Sequence, residues 1–140
     1  MNKTAVIARN PRARFDYFVD GTVQAGICLT GSEVKGLRSG GCSIKGGFVR
    51  IEDGEAFVYG LTIPFQDNPA RARKLLLHKR EILELSSHSK EKGAALVPLE
   101  VSFERSLAKV SVGICRGKKA HDKRAAEAER SAEREIRRFV

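Results

Sequence analysis

The chain has 140 residues, 41% of them hydrophobic, and a formal net charge of +9. That length predicts a single domain with a real core. The basic excess predicts a polyanionic partner, such as nucleic acid, a ribosome or an acidic membrane, and says nothing about fold. No run approaches the roughly 18 apolar residues of a membrane span, and no N-terminal segment has the apolar core of a signal peptide, so neither a membrane-spanning segment nor secretion is expected.

In chain order, residues 1–14 are basic and weakly patterned, with Arg9, Arg12 and Arg14 close together. Residues 15–29 are rich in strand formers, and the Asp20-Gly21 pair predicts a bend or bulge within them. The stretch GSEVKGLRSGG predicts a short helix capped by Ser32, with Val34 and Leu37 on one face and Gly40 as its stop. In GFVRIEDGEAFVYGLTI two β-rich runs flank Asp53-Gly54, the signature of a tight hairpin with positive φ. PFQDNPARAR reads as a loop. The Leu75-Leu76-Leu77 run then leads into a helix through about Lys92 that stops at Gly93, with Ile82 and Leu85 buried. In the next strand Val97, Leu99, Val101 and Phe103 alternate against Pro98, Glu100 and Ser102. Val110, Val112 and Ile114 alternate in the last. The expected fold is mainly β: an OB-like closed antiparallel barrel of about six strands, with two to three short helices.

Enzyme signatures are missing: G-x-S-x-G, H-E-x-x-H and a phosphate loop do not occur. Glu52 and Glu55 flank a hairpin tip and read as solvated rather than as an acid/base pair. Cys28, Cys42 and Cys115 with His78, His88 and His121 follow no metal-ligand spacing. Free thiols in a reducing cytosol, with neither metal nor cofactor, are therefore expected. What remains is three basic clusters: Arg9, Arg12 and Arg14; Arg71, Arg73, Lys74, Lys79 and Arg80; Lys118, Lys119, Lys123 and Arg124. Together they predict phosphate contacts. RNA is favoured over DNA because a small barrel suits folded or single-stranded RNA and no major-groove helix is evident.

Five segments, DYFVDGTVQAGICLTGSEVKGLRSGG, FVRIEDGEAFVYGLTI, RARKLLLHKREI, EKGAALVPLEV and GICRGKKAHDKR, resemble in order and over nearly the whole chain the SmpB family of SsrA-binding proteins. The resemblance implies a cytoplasmic, monomeric, non-enzymatic protein that binds transfer-messenger RNA (tmRNA). It would carry that RNA to stalled ribosomes for trans-translation. It implies a tmRNA-binding barrel over residues 1–116 and a basic tail over 117–140. On the barrel it points to Asn10, Glu33, Lys35, Arg38, Arg71, Arg73 and Lys74, joined by Arg12 and Arg14 of the first basic cluster. On the tail it points to Gly117, Lys118, Lys119, Asp122, Lys123 and Arg124, with His121 placed to stack on a ribosomal base. For Glu33 the chemistry alone offers a plainer role, since a carboxylate at a helix start suits the macrodipole.

Departures from the family pattern are a short loop over 64–70, Gly46-Gly47 in place of a polar pair, and Ser86 and Ser89 on a helix face that is usually apolar. The tail, written as a helix, puts Ala125, Ala128, Ala132, Ile136 and Phe139 on one thin stripe. Such a stripe buries little, and isolated helices of this length are marginal in water. The tail is therefore expected to be unfolded when free and helical when docked. The resemblance supplies the dock: the small-subunit decoding centre and vacant messenger channel, with Arg130, Arg134 and Arg137 along rRNA phosphates and Ile136 in apolar contact. Two other readings stay open: a ribosomal protein or translation factor with an OB-like barrel, and an RNA-processing enzyme using Glu33 or His121.

Overall fold

The computed structural model describes residues 4–105, 107–119, 123–125 and 127–128. The elements are β1 (Thr4–Arg9), α1 (Arg12–Asp16), β2 (Tyr17–Ile27), α2 (Gly31–Gly40), β3 (Phe48–Glu52), β4 (Glu55–Tyr59), β5 (Arg73–Leu76), α3 (Lys79–Ser89), β6 (Ala94–Glu104) and β7 (Leu107–Gly117). All strand pairs are antiparallel, in the single sheet order β1-β6-β7-β2-β5-β4-β3. The chain is mainly β, as expected, with seven strands rather than about six.

The expected closed barrel does not form. β1 and β3 are the two edges, and no ladder joins them among the described residues. β3 approaches β6 in space without pairing with it. On β6, Pro98 has no N–H to offer a further strand. The carbonyls there are already taken: Asn10 donates its backbone N–H to Leu99 O (2.9 Å) and its Nδ2 to Pro98 O (3.1 Å). Instead of a ladder, α3 lies against both β6 and β3, with Ile82 and Leu85 buried beneath it. Ser86, half-buried, and the exposed Ser89 stay off that core, and Ser89 Oγ donates to Ser86 O at 2.8 Å.

Local signals hold where they are strongest. Asp53 and Gly54 take φ of 50° and 76°, and Glu52 pairs Glu55 across the turn. The register of β2 on β7 slips between Val19 and Gly21, so Asp20 is the bulged residue. Its carboxylate accepts from Arg116 Nε (2.7 Å) and Nη2 (3.0 Å). A second slip, between Pro98 and Glu100, changes how β6 is read. The simple alternation Val97, Leu99, Val101, Phe103 does not hold. Leu96, Val101 and Phe103 face the main core with Val58, Leu75, Val110 and Val112, while Val97 and Leu99 face a smaller cluster with Ala13 and Cys115. One extra residue at Leu99 exchanges the two faces.

Three elements were not expected. β1 is a strand although its sequence is weakly patterned. α1 is a short helix where a strand was expected to begin. β5 is a strand although its Leu run reads as a helix approach. α3 also ends at Ser89, short of Lys92. The cap of α2 is Thr30, not Ser32: Thr30 Oγ1 accepts the Glu33 N–H (3.2 Å), and Glu33 Oε1 accepts the Thr30 N–H (3.0 Å).

Candidate nucleic-acid interface

The capping box fixes where Glu33 points. Its side chain is 3% exposed, and it faces two arginines from the segment that enters β5. Arg71 donates Nε to Glu33 Oε2 (3.0 Å) and Nη2 to Oε1 (2.5 Å). Arg73 donates Nε to Oε2 (2.8 Å), with Nη2 also 2.7 Å from that oxygen. The remaining Arg73 N–H groups reach backbone carbonyls: Leu61 (2.6 Å) and Arg71 (3.0 Å) from Nη1, Pro69 (3.0 Å) from Nη2. Burial by itself would raise the Glu33 carboxyl. The hydrogen bonds from Arg71, the Thr30 backbone and Arg73 outweigh it and hold the group at about 2.

Three of the residues expected to face RNA are thus committed to the fold. Arg73 has no exposed side-chain surface and no unused N–H. Glu33 is buried as its counter-ion. Asn10 is buried as the clamp on Pro98 and Leu99. Arg73 is sealed from solvent, whereas Asn10 and Glu33 border surface clefts with their polar atoms already partnered. The strand pleat explains the split within β5: Arg73 and Leu75 point in, Lys74 and Leu76 point out.

The other cations stay at the surface, in separate groups. Lys35 and Arg38 are exposed on α2, and the Arg38 guanidinium lies 5.6 Å from the centre of the Phe103 ring. Lys74 lies 3.4 Å from Glu55 and borders a surface cleft, together with Lys109, His78, Gln24 and an exposed Leu76. An exposed aliphatic side chain in a cleft that also holds Lys74 and Lys109 suits a polyanion that presents some apolar surface, although Glu55 and Glu81 line it too. Leu76 and Lys109 were not singled out from the sequence, because an uninterrupted Leu75–Leu77 run hides which leucine faces out.

Tertiary structure brings the first and third basic clusters together. β7 runs back beside β2, pairing Gly117 with Tyr17 and Arg116 with Phe18. Lys118 then donates its N–H to Asp16 O (2.9 Å) and its Nζ to Arg14 O (3.0 Å). Arg116 and Lys118 both lie about 5 Å from the centre of the half-exposed Phe18 ring, at 5.2 and 5.1 Å. Asp16 is the pivot of this corner: it accepts from Arg12 Nε at 3.3 Å and lies 3.5 Å from Lys123 Nζ. Lys123, Arg124 and Ala125 are helical, as are Glu127 and Ala128. Gly117 is the last residue of β7 and Lys118 bonds back to α1, so the first two residues of the expected tail touch the body. Of the expected tail residues, His121, Asp122, Arg130, Arg134, Ile136 and Arg137 lie outside the described residues.

Comparison with known proteins matches the family model described as SmpB protein over residues 7–140. A relative from Acetivibrio thermocellus, named SsrA-binding protein, is 46% identical over 95% of this chain and 91% of its own. One of the same name from Acidothermus cellulolyticus is 49% identical over 96% and 89%. A solved structure, described as "tmRNA-SmpB: a journey to the center of the bacterial ribosome", is 44% identical with a TM-score of 0.66. It covers 83% of this chain and 86% of that one.

Proposed function

The chain belongs to the SmpB family, and from that premise we propose that it binds tmRNA and carries it to stalled ribosomes for trans-translation. It is an RNA-binding factor. The observation that supports RNA contact most directly is the sorting of cations by burial. Arg73 is consumed by the fold, while Arg12, Arg14, Lys35, Arg38 and Lys74 remain at the surface where phosphates can reach them. An enzyme built on Glu33 is disfavoured on the same geometry. A carboxylate held at about 2 by two arginines is a poor proton acceptor near neutral pH.

The tail is the ribosomal part of this proposal. Lys118 and Lys123 tie the root of the tail to α1 through Asp16. Beyond it the segment would enter the decoding centre and messenger channel and become helical there. Cytoplasmic action follows from the same reading. A gel shift with tmRNA against bulk tRNA at two salt concentrations tests the first half; equal affinity for both would favour a general translation factor. Truncation after Lys119 should keep tmRNA affinity within about tenfold, roughly 1.4 kcal/mol. Ala132→Pro, costing about 3 kcal/mol in a helix interior, should leave tmRNA binding intact and abolish tagging on a stalled ribosome. Full tagging by that variant would refute the helical tail.

A further inference from the structure

Phe65 is 82% exposed and holds φ at +64°. Both features are unusual. A bulky aromatic in the left-handed region carries backbone strain, and strain of this kind persists only where its surroundings impose it. Here they do. Gln66 Nε2 donates to Ser32 O (2.9 Å) and Pro64 O (3.2 Å), and Ser32 Oγ donates to Gln66 Oε1 (2.9 Å). The loop lies flat on α2 because the helix presents glycines beneath it. A Cβ on Gly36 would stand 2.7 Å from Pro64 O and Gln66 Nε2, and one on Gly40 would stand 2.7 Å from Pro64 Cγ and 3.2 Å from Phe65 Cε2. The ring is held in solvent by a fixed loop.

A cleft opens beside it, lined also by Ser32, Asp67, Asn68 and Arg71. Asn68 is exposed and offers both donor and acceptor. Arg71 is anchored on Glu33 through Nε and Nη2 and on Ala72 O through Nη1, at 3.3 Å, which leaves an N–H on each terminal nitrogen directed elsewhere. A single flat apolar ring in polar surroundings of mixed charge, with Glu33 and Asp67 beside Arg71, matches a nucleobase better than an apolar protein patch, which would need apolar neighbours.

We propose that Phe65 and this cleft hold one unpaired RNA base, stacked on the ring and hydrogen-bonded at its edge by Asn68 and Arg71. The inference rests on the reading that the protein binds tmRNA. The chain contains no tryptophan, so Phe65→Trp places a sole tryptophan at the site, excited selectively at wavelengths the tyrosines do not absorb. Titration with a transcript of the tRNA-like part of tmRNA should quench its emission over the same concentrations that shift the protein in a gel. Phe65→Ala should weaken binding about tenfold to a hundredfold with an unchanged salt slope, because stacking releases no counterions. Phe65→Tyr should restore affinity. Since the ring is exposed, all three variants should melt close to the parent. Unchanged tryptophan emission while the gel shift persists would overturn the proposal. So would Phe65→Ala affinity within twofold of the parent, or emission that responds only to ribosomes and never to the transcript. Failure of the unsubstituted protein to shift the transcript would instead sink the tmRNA reading itself, and the base site with it.

Discussion

Glu33→Gln tests the central buried network. The substitution keeps the shape of the side chain and removes its charge. Arg73 would then be a buried guanidinium with no counter-ion, and Arg71 would lose a charged partner. Breaking a buried pair from one side costs about 3–5 kcal/mol, and part of that is returned by the amide oxygen, which still accepts a hydrogen bond. A loss near 3 kcal/mol at pH 7 should lower the melting temperature by on the order of 10 °C. Acid supplies an independent reading. The folded Glu33 carboxyl lies at about 2, below its ordinary value of about 4.3. A depressed carboxyl stabilises the fold above its unfolded pKa, and that stability is lost as pH falls through the folded one. The window is therefore about 4.3 down to about 2, and the amount at stake is about 3 kcal/mol. Urea unfolding of parent and Glu33→Gln at pH 7, 4 and 2.5 should show a wide gap at pH 7 that closes with acid. A gap under about 1 kcal/mol at pH 7, or one that does not narrow, would refute the account of Glu33 as a structural counter-ion.

Lys74→Ala should flatten the salt dependence of tmRNA binding by about 0.7–0.9 in the log–log slope and leave stability nearly unchanged; an unaltered slope would remove Lys74 from the interface. Gly36→Ala should destabilise by about 1–3 kcal/mol in chemical denaturation, because its Cβ would sit 2.7 Å from Pro64 O and Gln66 Nε2. Cys28 is exposed, whereas burial pushes the thiols of half-buried Cys42 and buried Cys115 up to about 11, so a maleimide at pH 7 should modify Cys28 fast, Cys42 slowly and Cys115 only on unfolding. Thr30→Ala should cost about 1 kcal/mol through loss of the α2 cap, read as a lower urea midpoint.

What could be read from the sequence alone is what neighbouring residues decide among themselves. Asp53-Gly54 specified its turn because only small or short polar residues tolerate two consecutive positive φ angles. Val110, Val112 and Ile114 specified a core face by a period of two, and the surplus of Lys and Arg specified an anionic partner before any fold was known. The family resemblance lay in ordered motifs along the chain. The facts that only tertiary structure decided all depend on groups far apart in sequence. Arg73 and Lys74 are adjacent and chemically alike, yet one is sealed against Glu33, 40 residues away, and the other is left to solvent. β1 became a strand because β6 offered it an edge, whatever its own pattern. The bulge at Leu99 reversed an alternation that looked regular, and Asn10, 88 residues upstream of Pro98, took the carbonyls of Pro98 and Leu99. Arg14 and Lys118 share a corner only because β7 returns beside β2. A local pattern encodes which face of an element is apolar. It does not encode which distant carbonyl or carboxylate will claim a given donor, and that choice separated structural cations from those free to meet RNA.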